Sequence, residues 1–381
     1  MVDQLRREAG PALLINCGNL TQGNSKNDFE VNRRILKTAL QGYEMMGAEI
    51  FAPGNQELIY GRQLILSLKE SVPGGAIVCA NLGGAPVPGI ETHRLLEIDG
   101  RKILITALVD PDLEKKAVHG LFVTDPIPSL GKILKIPHDL ALAVLHFSDS
   151  KARHLLREHS GLDLAILGTQ RGTFAEAEKI NDCWLLKNNN HGKTIGCLDW
   201  DFAARKPASH QIIKVNREDF AADQKVANLV ADYEVWLRQH YIEKEQLQAS
   251  HENQATIKVP YIGNLSCEPC HSEIVAAWSR SRHAQAYASL QKKCKDFCPD
   301  CLPCHVTGSR DHDKEGFISP AATPHLFNVQ CEECHGPAEA HRQNPALPYG
   351  EKIELRTCTI CHTPNTDPEF SFDDDINLVI H

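Results

Sequence analysis

The stretch CEECHGPAEAH, Cys331 to His341, sets two cysteines three positions apart, a histidine directly after the second, and another histidine six residues on. The same Cys-x-x-Cys-His unit stands at Cys267, Cys270 and His271, at Cys301, Cys304 and His305, and at Cys358, Cys361 and His362. Two thiols at this spacing reach both vinyl groups of one haem, and the adjacent imidazole falls beneath the iron as its proximal ligand. Structural zinc also uses paired cysteines, but it needs no histidine after each second one, and all four units have one. Regular close pairs suit a cofactor better than they suit disulfide staples. The expected cofactor is four covalent c-type haems, on Cys267, Cys270 and His271, on Cys301, Cys304 and His305, on Cys331, Cys334 and His335, and on Cys358, Cys361 and His362.

The sequence around these units supports that reading. After Ile262 long apolar runs disappear and Gly, Pro, Asp and Glu take their place. Such a segment cannot build a conventional core from its own side chains. Four flat porphyrins would fill it, and packed so close they would pass electrons from one to the next. The sixth position on each iron is closed by a second histidine in pure electron transfer and left open for substrate or gas. The candidate distal ligands are His283 in WSRSRHAQAYASL, His341, His381 in the terminal apolar run INLVIH, and His325 in ATPHLFNVQCEECH. His251 and His312 lie in polar surroundings and read as surface residues. Cys294 and Cys298, in CKDFCPDCLPCH, either pair or stay free.

Residues 261–381 resemble the cytochrome c554-like tetrahaem proteins, through CEPCHSEIVAAWSRSRHAQAY, CLPCHVTG, VQCEECHGPAEAH and CTICH in that order. The resemblance implies a mainly α multihaem domain of stacked haems, with axial histidines drawn from other units' loops. By that likeness His283 serves the haem on His335, His341 that on His362, and His381 that on His271. The haem on His305 is five-coordinate in the namesake family, and His325 is the residue that would close it here.

Up to residue 215 the pattern is different. Short apolar runs, ALLIN at Ala12, AEIFA at Ala48, AIVCA at Ala76, LAVLHF at Leu142, LDLAIL at Leu162 and HQIIKV at His210, alternate with helical segments, which argues for a layered α/β domain. HRLLEIDGRKILITALV predicts a hairpin turning at Asp99 and Gly100. DFEVNRRILKTALQGYEMMG predicts a helix from Asp28 that stops at Gly47. Cys17, Cys79, Cys183 and Cys197 sit in or beside strand-like runs and read as inert buried thiols. Apolar residues at three- and four-residue steps from Phe220 to Tyr241 predict an amphipathic helix within a connector, residues 216–260.

Residues 1–215 are similar to calcineurin-like metallophosphoesterases in the form used by 5'-nucleotidases, through LLINCGNL, YEMMGAEIFAPGNQEL, IVCANL, LEIDGRKILITALVDP, LAVLHFSD and LAILGTQRG. That family holds two metal ions that activate water against a phosphate ester. Here its ligand words are damaged. Gly-Asp has become Gly18-Asn19, Gly-Asn-His-Glu has become Gly54-Asn55-Gln56-Glu57, and Gly-His-x-His has become Gly168-Thr169-Gln170-Arg171. Asn55 and His146 alone remain as ligands, and two neutral groups cannot hold a dinuclear site. The resemblance therefore implies a degenerate, N-terminally truncated domain with no bound metal and no catalytic residues.

The function expected is electron transfer in a bacterial respiratory chain. A redox enzyme acting on a small nitrogen or sulfur compound at an open haem on His305 is the alternative, and a metal-dependent phosphoesterase the second. No run approaches the roughly 20 apolar residues of a membrane span, and MVDQLRREAG lacks the apolar core of a signal peptide. Because haem attachment takes place outside the cytoplasmic membrane, a periplasmic or extracellular location is expected, with an export signal and the first strand upstream of Met1. From residue 251 onward 11 Lys and Arg stand against 18 Asp and Glu. This disfavours nucleic acid and favours redox-protein partners with basic surfaces.

Overall fold

The computed structural model describes residues 1–21, 28–83, 87–114, 121–168, 177–187, 192, 194–216, 219–251, 260–309, 316–350, 352–364 and 366–379. It divides into two compact units, Met1–Tyr233 and Glu234–His381. The division falls inside the helix Gln224–His251, which Asp223 caps by accepting from the amides of Lys225 and Val226.

In the first unit the period-two alternation of its strands builds the layers. Along Arg101–Val109, Ile103, Ile105 and Ala107 face one way, and Leu104 and Leu108 the other. Leu140–His146 repeats the pattern, with Leu142 and Val144 on one face and Ala143 and Leu145 on the opposite one. The strand is buried throughout, as a strand covered on both faces must be. Six strands pair in the order Glu178–Ile180, Cys183–Lys187, Leu164–Leu167, Leu140–His146, Arg101–Val109, Arg94–Ile98. The four inner strands are parallel and both edge strands antiparallel. A second, parallel sheet joins Ile15–Asn16, Ile50–Phe51, Ala76–Val78 and Ile90–Glu91.

Ile50, Ala76 and Val78 of this second sheet pack on Ile105, Leu142, Val144 and Leu164 of the first. Leu36, Leu40, Leu64 and Ile65, from the helices Phe29–Met45 and Gly61–Ser71, cover its outer face. Leu155 and Leu156 of the helix Asp149–Glu158 cover the other sheet. The result is helix, sheet, sheet, helix, and each fully buried Leu or Ile contributes about 2 kcal/mol. The expected hairpin forms, with Asp99 and Gly100 both in the left-handed region at its turn.

The second unit is mainly helical, as expected, and its helices are short: Glu268–Trp278, Ala286–Lys292, Cys331–His335, Glu339–Gln343, Leu355–Thr359 and Phe372–Asp375. All three clusters of buried apolar side chains lie in the first unit. The second buries apolar side chains such as Val306, Leu326 and Leu290 in smaller groups, and buried polar groups tie it together as well. Glu332, 1% exposed, accepts from the amides of Ile262, Gly263 and Ala338. Gln330 donates to the carbonyls of His325 and Phe327 and accepts from the Asn264 amide. Tyr287 stacks on Phe327 at 3.8 Å. Among the described residues no helix is long and apolar enough to cross a membrane.

Candidate functional site

Each Cys-x-x-Cys-His unit is wound into a single helical turn. The Cys267 carbonyl accepts from the amides of Cys270 and His271, and the Cys358 carbonyl from those of Cys361 and His362. Cys304 bonds back to Cys301, and Cys331–His335 is a helix of its own. One turn is what brings both thiols and the imidazole to the same side of the chain. Exposed apolar side chains flank the units: Leu265 before the first, Leu355 and Ile360 around the fourth. A porphyrin bound there would cover them.

The histidine tautomers are set for metal binding. The Nδ1–H of His305 donates to the Ala286 carbonyl at 2.7 Å, and that of His341 to the Leu347 carbonyl at 3.0 Å. His362 Nδ1 stands 2.8 Å from Asp367 Oδ2. With Nδ1 occupied, Nε2 carries the lone pair a metal takes. These residues fit a haem iron. Among the described residues no three His, Cys, Asp or Glu side chains converge as a metal-ion site.

Two pairs of histidine rings face one another. His271 lies 6.4 Å from His341 between ring centres, and His283 lies 6.3 Å from His362. These pairs differ from those the family likeness implies, which set His341 opposite His362 and His283 opposite His335. Local contacts explain the arrangement. His341 stacks on Tyr349 at 5.1 Å, and the Tyr349 hydroxyl donates to the Gly336 carbonyl. His283 is held where its carbonyl accepts from Val329, the residue whose own carbonyl takes the Trp278 indole N–H. Burial, and after it the neighbouring His362, lowers the His283 pKa. Among the described residues no ring stands opposite His305. His325 is exposed, with its ring bordering Gly263. His381 and His312 lie outside the described residues, as does the side chain of His251.

The Cys267 and Cys331 thiols, the first of their respective units, lie close to one another. Cys298 is buried and bonds to Cys301, a contact that lowers its pKa to about 6. Cys294 is exposed, and neither it nor Cys298 is in a disulfide. Of the front-unit thiols, Cys79 and Cys183 are buried, whereas Cys17 and Cys197 are partly exposed.

In the first unit, strand ends bring Gly18, Asn19, Gly54, Glu57, His146 and Gly168 together, the place where open α/β sheets bind ligands. Several of these groups bond to one another or to backbone, while His146 Nδ1 is buried without a partner. The Glu57 carboxylate accepts from the amides of Asn19, Leu20, Thr21 and Gly54 at 2.6 to 3.1 Å. Its burial raises its pKa, and the four amides oppose that rise. Asn19 Nδ2 donates to the Gly168 carbonyl at 2.8 Å. His146, wholly buried, gives its Nε2–H to the Ala52 carbonyl at 3.1 Å, and burial drops its pKa to about 4. Asn55 opens the short helix Asn55–Leu58. Thr169, Gln170 and Arg171 lie outside the described residues.

Residues 266–336 match the family described as cytochrome c554 and c-prime. Cytochrome c-554 of Nitrosomonas europaea is 34% identical over 98 residues, covering 22% of this chain and 41% of that protein. The chain thus spans less than half the length of this relative. The front part is similar in fold to solved structures. It is similar to Thermus thermophilus sulfate thiohydrolase SoxB in complex with glycerol, with TM-score 0.54 and 14% identity over 62% of this chain and 46% of that one. It is also similar to Haemophilus influenzae NAD nucleotidase, with TM-score 0.50 and 12% identity over 61% of this chain and 52% of that one. The architecture is a metallophosphoesterase-like α/β domain followed by a cytochrome c554-like helical region.

Sequence reasoning missed two carboxylates in these sites. Glu332 lies inside a haem-type unit and reads as a surface charge. Asp367 follows the fourth unit by five residues in a Pro-rich loop, and no periodicity marks it.

Proposed function

We propose that this chain is a tetrahaem c-type electron carrier, with haems on Cys267, Cys270 and His271, on Cys301, Cys304 and His305, on Cys331, Cys334 and His335, and on Cys358, Cys361 and His362. The observation that carries the reading is the pair of facing histidines. Two imidazoles on opposite sides of one iron, each nitrogen at about 2 Å from the metal, have ring centres roughly 6 Å apart. His271 with His341 and His283 with His362 stand at that separation. The Cys267–Cys331 contact supports close spacing of the first and third haems. When bound, haem supplies the reversible one-electron chemistry. The chain's own cysteines would hold it covalently, and its histidines would ligate the iron and set the orientation of their rings.

A periplasmic or extracellular site is part of this proposal, since attachment needs haem and reduced thiols delivered outside the cytoplasmic membrane. Redox proteins are the partners it implies. The front domain, on this reading, is an inactive relative of phosphoesterases, because the family's Asp and His ligand words have become Asn19 and Gln56 and the Glu57 carboxylate is spent on backbone amides.

A second reading has its own observation. His305 is backed by Ala286 and Ser289, and no described ring closes its far side, which favours an open haem able to bind a small nitrogen or sulfur compound. The deciding experiment exports the chain with the haem-ligation machinery, counts haem by pyridine haemochrome and records the electron paramagnetic resonance spectrum. Four low-spin haems support the carrier alone. One high-spin ferric haem that shifts with nitric oxide supports the second reading, and a chain with no covalent haem sinks both.

A further inference from the structure

We infer that Asp367 tunes the haem on His362, holding its reduction potential below the value that a carbonyl-backed histidine would give. The inference rests on the tetrahaem reading and concerns one residue outside the attachment units. His305 and His341 give their Nδ1–H to neutral backbone carbonyls. His362 gives its Nδ1–H to a carboxylate, Asp367 Oδ2, at 2.8 Å. Either partner fixes the tautomer. The carboxylate also draws the proton toward itself and makes Nε2 a stronger electron donor. A stronger donor favours ferric iron, which carries one more positive charge than ferrous, so the potential falls.

The loop after the fourth unit is folded so that this contact is held. Thr363 donates its amide to Thr366 Oγ1 at 2.9 Å, Thr366 Oγ1 donates to the Cys361 carbonyl at 2.5 Å, and the Asp367 amide donates to the Thr363 carbonyl at 2.7 Å. These bonds turn the chain back on itself and carry the Asp367 carboxylate to the imidazole edge. Phe370, three residues on, stacks on the face of the same ring at 4.6 Å and 22°. His362 is therefore fixed at its edge and on its face. Covalent attachment at Cys358 and Cys361 requires neither contact, which leaves orientation and electronic tuning as what they supply.

Asp367 keeps 41% of its side chain exposed, and water weakens its influence. The effect is accordingly set at about tenfold in the reduction equilibrium of one haem, ~59 mV for one electron. The test compares the exported chain with Asp367→Asn, which keeps the shape and removes the charge. Haem is counted first, and reduction is then followed by optical titration and by electron paramagnetic resonance at each poise. The expected result is four haems in both proteins, one component moved about tenfold toward easier reduction, three components superimposed, and altered g-values for one low-spin signal. Four haems with superimposable titrations overturn the inference. If the Asn chain carries fewer haems, Thr366→Ala takes its place: it loosens the loop, the same component is expected to move in the same direction, and an unmoved titration overturns the inference. Fewer than four haems in the unaltered chain sinks the tetrahaem reading itself, a different failure.

Discussion

At His146 a strand that alternates its side chains between two layers ends in an imidazole that water does not reach. Its folded pKa lies near 4 and its ordinary value at 6.5. Between these values the unfolded chain binds more protons than the folded one, so stability is full above pH 6.5 and declines as the pH falls toward 4. The loss integrates to roughly 3 kcal/mol. Denaturant unfolding of the first unit between pH 7 and pH 4 is expected to show it, and His146→Asn to flatten the slope in that window. A second residue-scale prediction concerns the haem-type region. His341→Ala removes the ring facing His271, and one of four haems is expected to become high-spin while the count stays at four. If His341 instead served His362, as the family likeness implies, double substitution with His283→Ala would convert the haems on His362 and His335, not those on His271 and His362. Assigning the altered signals in variants of each proximal histidine separates the two pairings.

Among the elements, the helix Phe29–Met45 was readable from one end to the other. Asp28 accepts from the amides of Glu30 and Val31, and Gly47 beyond its end has a φ of 74°. Asp28→Ala is expected to lower the stability of the first unit by about 1 kcal/mol, measured as a shift in denaturant midpoint at unchanged slope. The six apolar runs expected to be strands each contain one, because alternation and turn residues are local signals. The amphipathic helix from Phe220 to Tyr241 is only partly as expected. Val226, Leu229, Tyr233, Trp236 and Leu237 are at least half-buried, but Val230 and Val235 are exposed, and the helix begins at Gln224. The loop Thr363 to Phe370 carried no such signal. Its side chain–backbone bonds become visible only once the chain has turned.

The whole molecule joins two units that cohere by different physics. The first buries three clusters of aliphatic side chains. The second relies on polar ties such as Glu332 and, in the proposed reading, on the porphyrins. Chain made without haem attachment is therefore expected to keep a cooperative unfolding transition from the first unit while Glu234–His381 is cut rapidly by protease, followed by mass spectrometry of the fragments. The front cleft leads to one further prediction. With Asn19 and Gln56 where the family has an acidic and an imidazole ligand, the holoprotein is expected to show no manganese- or zinc-dependent hydrolysis of nucleotides or of a chromogenic phosphodiester. Metal-stimulated turnover that tracks the purified protein would return the phosphoesterase reading.

Amino-acid order by itself determined the four Cys-x-x-Cys-His units, the layered α/β front and the hairpin at Asp99 and Gly100, because each depends on residues a few positions apart. A proximal histidine is adjacent in sequence to its own cysteine, so one helical turn places it. A facing histidine comes from 70 residues away at His341 and from 79 residues away at His283, and only tertiary packing through Tyr349, Trp278 and Val329 decided which ring meets which. The same holds for Glu57, whose carboxylate closes over Asn19 and Leu20 from 38 and 37 residues along the chain. It holds again for Asp367, where the sequence separation is short but the direction of the carboxylate depends on how the loop closes.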